Sequence, residues 1–110
     1  MSDYPTEIEL KMIENWDAFE EKDYLNLMAY VRSIWWMPDW GFKQDGARFE
    51  LHTGGWSGNE SIISAMERNS VFWLLYWEST TRGGHYVFES IDEFIDRAKM
   101  ASLRENQVKQ

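Results

Sequence analysis

The sequence predicts a single α+β domain of order ααββαββα, a small and mainly antiparallel sheet packed against helices. Three observations carry that expectation. Apolar residues recur at helical spacing before Pro38, short alternating segments follow it, and helix-opening capping boxes reappear at Ser57 and Ser90. A length of 110 residues suits one domain, able to bury roughly two-thirds of its unfolded surface without cross-links.

Thr6 with Glu9 forms the first capping box, and Leu10, Ile13 and Trp16 follow at helical spacing, so a helix is expected near 6–16. Asp17 through Asp23 reads as a polar break. Tyr24, Leu27, Met28, Val31, Ile34 and Trp35 then make the clearest amphipathic stripe, which should end before Pro38. Trp40-Gly41-Phe42 and Arg48–His52 flank Lys43-Gln44-Asp45-Gly46, a hairpin turn with Gly46 left-handed. In the second of these strands Phe49 and Leu51 share one face, and Arg48, Glu50 and His52 the other. Ser57 with Glu60 opens a helix to about Arg68, with Ile62, Ile63 and Met66 inward and Asn69 at its end.

Val71–Trp77 is a run of seven apolar residues, read as a central strand apolar on both faces. Thr81-Arg82-Gly83-Gly84 turns the chain into a strand over 85–89, whose Tyr86 and Phe88 point toward the core. Ser90 with Glu93 opens a last helix near 91–102, and the tail 103–110 should fray. The helical part covers about 6–36 and the sheet-containing part about 40–90, with no linker, repeat or second domain between them.

The chain carries a net charge of −8 with 44% apolar and 16% aromatic residues, so it has the material for a packed core and is not a disordered tail. Residues 1–31 hold eight carboxylates against Lys11 and Lys22, hence −6 of that −8. A direct nucleic-acid binder needs a basic stripe, and none is visible. Absence of Cys removes a disulfide scaffold, no apolar run approaches the roughly 20 residues of a membrane span, and Met1-Ser2-Asp3-Tyr4-Pro5 lacks a signal-peptide pattern. Cytoplasmic location is therefore expected.

Two segments concentrate the chemistry: His52-Thr53-Gly54-Gly55-Trp56-Ser57-Gly58-Asn59-Glu60 and Arg82-Gly83-Gly84-His85-Tyr86 hold five of the seven glycines and both histidines. The first joins a strand to a helix N-terminus, where free N–H groups favour an anion. It has neither the Gly-Lys-Ser/Thr nor the G-x-G-x-x-G of phosphate loops, and Glu60 would repel an anion. A ligand site would comprise His52, Thr53, Gly54, Gly55, Trp56, Ser57, Asn59, Arg82 and His85, if the sheet brings both segments together. Two histidines without Cys fall short of a structural zinc set, so no metal and no cofactor is expected. As acid or base, either His would need a polar partner, for which Glu60, Ser57 and Tyr86 are candidates.

Trp35, Trp73 and Trp77 fit core stripes, whereas Trp36, Trp40 and Trp56 do not, and mark a binding surface. Glu14, Asp17, Glu20 and Glu21 form a second candidate surface for a basic partner. Leu25, Ala29 and Trp36 lie off the main stripe of the second helix, a face that either a homodimer or the first helix would cover.

The segments LHTGGWSGNESII, FWLLYW and RGGHYVF, within residues 40–90, resemble a pattern found in small phage and prophage proteins without an assigned activity. The resemblance implies a mobile-element accessory protein that binds a host factor, and brings no catalytic residues with it. The leading expectation is a non-catalytic binding protein that engages a host protein through the acidic helices or the Trp-rich edge. The alternatives are a nucleotide or other anion site at 52–59 with Arg82 and His85, and a small enzyme using His52 or His85 as acid or base.

Overall fold

The computed structural model describes residues 4–90. The helix α1 (Glu7–Glu14) begins at the expected capping box: the Thr6 side chain accepts from the Glu9 N–H, and the Glu9 carboxylate accepts from the Thr6 N–H. After the polar break comes α2 (Glu21–Ile34), whose buried stripe is Tyr24, Leu27, Met28 and Val31, as the spacing requires. Met37 takes a left-handed backbone with φ 54°, and Pro38 starts a single-turn helix α3 (Pro38–Gly41) that the sequence reading missed.

Two strands follow, β1 (Phe42–Asp45) and β2 (Arg48–His52), with Gly46 left-handed in the turn at φ 61°. Next come α4 (Ser57–Arg68), α5 (Ser70–Tyr76), β3 (Trp77–Thr81) and β4 (His85–Glu89). The four strands form one antiparallel sheet of order β1-β2-β4-β3. The expected α+β class holds, with the sheet packed against helices through one core. The helix expected near 91–102, its Ser90–Glu93 capping box and the tail lie outside the described residues.

The run 71–77 is the main correction. It is not a central strand: Ser70–Tyr76 is helix α5, and only Trp77 enters a strand, β3, at the sheet edge. Seven consecutive apolar residues satisfy both periods, and Asn69 decides between them. Its side chain accepts from the Phe72 N–H at 3.2 Å, capping α5, while its amide donates to the carbonyls of Ile13 at 2.9 Å and Trp16 at 2.8 Å. The side chain thus opens α5 and satisfies the end of α1, while the Asn69 backbone N–H closes α4 on the carbonyls of Ala65 and Met66. Helical spacing buries Phe72 and Tyr76 and sends Leu74 outward, 82% exposed. Trp77 is not core either. It is 41% exposed, stacked on Trp73 at 5.9 Å.

The core is an aromatic stack between α2, α5 and the sheet. Tyr24 lies parallel to Tyr76 with centroids 4.0 Å apart and meets Phe49 edge-on at 5.5 Å. Its hydroxyl donates to the Ala47 carbonyl at 2.9 Å, so the buried polar tip is satisfied. Phe42, Phe49, Leu51 and Phe88 face this core from the sheet. Their strand neighbours point the other way. Among the described residues no helix is long and apolar enough to cross a membrane.

Candidate functional site

The alternation that sends Phe49 and Leu51 inward puts Arg48, Glu50 and His52 on the outer face of the sheet. The seam between the two hairpins is the β2–β4 pairing, in which His52 lies directly opposite His85. Thr53 donates its N–H to the Gly84 carbonyl at 3.0 Å, which makes 53/84 a hydrogen-bonded pair. By alternation, His52 and His85 are the close-approach pair, where facing side chains come nearest. Their rings sit with centroids 4.1 Å apart, and Nε2 of His52 is 2.7 Å from Nδ1 of His85. Nε2 of His85 is 3.4 Å from a Glu50 oxygen, completing a carboxylate–imidazole–imidazole line.

The two glycine-rich segments therefore meet, as a shared site requires. The carboxylate that reaches the histidines is Glu50, two residues before His52 on the same strand face and 3.4 Å from His85. Of the three partners expected from the sequence, Ser57 instead bonds the Tyr4 hydroxyl at 2.7 Å, and Tyr86 lies opposite Leu51. Glu60 is exposed in the first turn of α4. The i, i+2 spacing of Glu50 and His52 in an alternating strand was the sequence signal for this contact.

Burial, His85 and Lys43 hold the His52 imidazole below its ordinary pKa, against an opposite pull from Glu50. Elsewhere on this face the charges are paired. Arg48 bridges Glu78 at 2.7 Å and Glu89 at 3.2 Å. Burial works against the charged guanidinium there, but Glu78, Glu89 and Glu50 together outweigh it and hold its pKa above the ordinary value. Among the described residues no group of three His, Cys, Asp or Glu side chains is arranged to hold a metal ion.

Trp40 borders the histidines. Its ring centroid is 6.2 Å from that of His52, and it is 58% exposed. The Gly41 backbone presses so closely on the end of β2 that a Cβ there would come 2.6 Å from the His52 carbonyl oxygen. Gly54, left-handed at φ 65°, leaves the space the Trp40 ring occupies: a Cβ would sit 2.9 Å from it. The exposed indole thus packs on Gly54 with the His52 ring beside it.

Trp36 and Trp56 have a different explanation. They stack on each other at 5.0 Å, and Tyr4 stacks on Trp56 at 4.8 Å. Asn59, buried, accepts from the Trp36 N–H at 2.9 Å and donates to the carbonyls of Trp36 at 3.1 Å and Thr53 at 3.4 Å. The Trp56 ring also lies against Gly58, over the first turn of α4. The helix has Trp56, not Ser57, at its N-cap, with no side-chain bond, so the Ser57–Glu60 capping box is not formed. The loop's own N–H groups are partly committed: Trp56 donates to the Thr53 carbonyl at 3.2 Å and Gly55 to Thr53 Oγ1 at 3.4 Å. Arg82 is exposed in the β3–β4 turn.

The acidic candidates are partly neutralised from within. Glu14 lies 3.4 Å from Arg68 and 3.9 Å from Lys11, Glu20 is 3.4 Å from Lys22, and Asp17 accepts from the Phe19 N–H at 3.3 Å. Glu21 stands in the first turn of α2, where its charge favours the helix. A shallow groove on α1, lined by Glu7, Ile8, Lys11, Met12 and Asn15, includes none of the histidine-site residues. No protein-family model, curated protein or solved structure matches the chain.

Proposed function

We propose that the protein is a non-catalytic binding domain that docks on a partner protein through Trp40 and the adjoining His52–His85 face. The observation that carries this reading is the exposed Trp40, seated against Gly54 and beside His52. An exposed indole whose ring already packs on Gly54 offers a large apolar anchor beside polar groups. The internal pairing of Glu14, Glu20 and Arg48 leaves less free charge for an electrostatic dock, so the aromatic edge is the better supported of the two surfaces. The resemblance to mobile-element accessory proteins makes a host protein the partner class, met in the cytoplasm. An anion site has weaker support, because Trp56 covers and Glu60 charges the first turn of α4.

Cross-linked capture from host lysate tests this with Trp40→Ala, His52→Asn and the double reversal Glu20→Lys/Glu21→Lys. Trp40→Ala is expected to abolish a captured band that the double reversal leaves in place. A band indifferent to Trp40→Ala and His52→Asn would end the reading. The Glu50–His85–His52 line favours one second reading, proton transfer at His52 oriented by its two neighbours.

A further inference from the structure

The proton count between the two imidazoles has a consequence of its own. Nε2 of His85 faces a Glu50 carboxylate oxygen at 3.4 Å, an ion-pair distance when the ring carries a proton on both nitrogens. Nδ1 of His85 lies 2.7 Å from Nε2 and 3.4 Å from Nδ1 of His52, so in the neutral pair a single N–H on the line between the rings faces a lone pair. Adding one proton leaves a single proton on this line, since whichever ring is neutral presents a lone pair to the other. Adding a second places an N–H on both facing nitrogens. No acceptor remains between them, and two like charges face each other at hydrogen-bond distance.

We infer that His52 and His85 form a proton-counting latch on the β2–β4 seam, closed with zero or one added proton and opened by the second, which parts the rings beside Trp40. The surrounding charges allow this. From β1, Lys43 faces the pair and opposes added positive charge, while Asp45 lies opposite Arg48. Glu50 of β2 balances one proton but not two. Arg48 of β2 pairs with both Glu78 of β3 and Glu89 of β4, and the one negative charge this leaves lies four register positions along the seam from the His52–His85 pair. Asp39 of α3 is engaged by Arg32 at 3.0 Å, and Arg82 in the adjoining turn adds a further positive charge. Burial, and then His85, hold His52 neutral into more acid solution than a free imidazole, and the repulsion between the two rings separates the second step from the first. Opening would loosen Trp40 through its His52 contact, so partner release in acid rests on the docking role given to Trp40. The latch itself does not.

Imidazole resonances of the full chain, followed by long-range nitrogen–proton NMR through pH 8 to 4, test it. Both rings are expected to shift in two shared steps, with the amides of Thr53 and Gly84 moving in the second. In His85→Gln the His52 midpoint should rise by about tenfold in proton affinity or more. Independent single-step titrations of the unaltered protein, or a His52 midpoint unmoved in a folded His85→Gln, would overturn the latch. If His85→Gln does not fold, the unaltered protein's two-step or one-step behaviour decides. Partner capture by Trp40 is read separately, so failure of the docking reading leaves the titration result standing.

Discussion

Two neighbouring glycines show how finely single residues set this site. Gly83 and Gly84 both have positive φ, 94° and 80°, in the turn before His85, yet a Cβ on Gly83 meets open space while one on Gly84 overlaps Thr53 Oγ1. Thr53 is the residue whose N–H binds the Gly84 carbonyl next to the histidines. Gly83→Ala should therefore cost on the order of 1 kcal/mol, from backbone conformation alone. Gly84→Ala should cost about 2–3 kcal/mol, because overlap at a buried neighbour is added, and it should also shift the His52 and His85 resonances. Urea unfolding measures both. Equal losses would show that the Thr53 contact contributes nothing. The sequence marked both glycines as turn residues but held no sign of which one touches Thr53, since that depends on where the other hairpin lies.

At the level of elements, α5 is the instructive case. Leu74, 82% exposed on a helix, should tolerate Leu74→Lys within about 0.5 kcal/mol, measured by chemical denaturation. The same change in a central strand would cost several times as much, so a large loss would contradict the helix. Amphipathic α2 and the alternating β2 were legible because each presents one clear period and one buried face. Val71–Trp77 was not, because its period is ambiguous and the deciding bonds run from Asn69 to Ile13 and Trp16, more than 50 positions away in the chain. The same limit applied to Trp36 and Trp56, which looked unexplained until their mutual stack and the Asn59 bonds gave them partners. Both candidate segments of the site were legible. Their meeting was not, since register across the seam is a tertiary property.

For the whole molecule, the site links stability to pH. His52 has a lower pKa folded than unfolded, so below the ordinary His value of about 6.5 the unfolded chain binds the extra proton more readily. Its contribution to stability is intact above that pH and is lost as the pH falls through the lowered folded value. The melting temperature should drop between pH 7.5 and 5.5, and His52→Asn should flatten that slope. A slope unchanged by the substitution would place the linkage elsewhere. The strand order has a further consequence, for the path by which the chain folds. Each hairpin closes a short loop, but the β2–β4 seam joins segments separated by all of α4 and α5, so its closure entropy is met only once those helices hold the ends together. The histidines meet only when that long-range pairing has formed, so their contact reports closure of the β2–β4 seam.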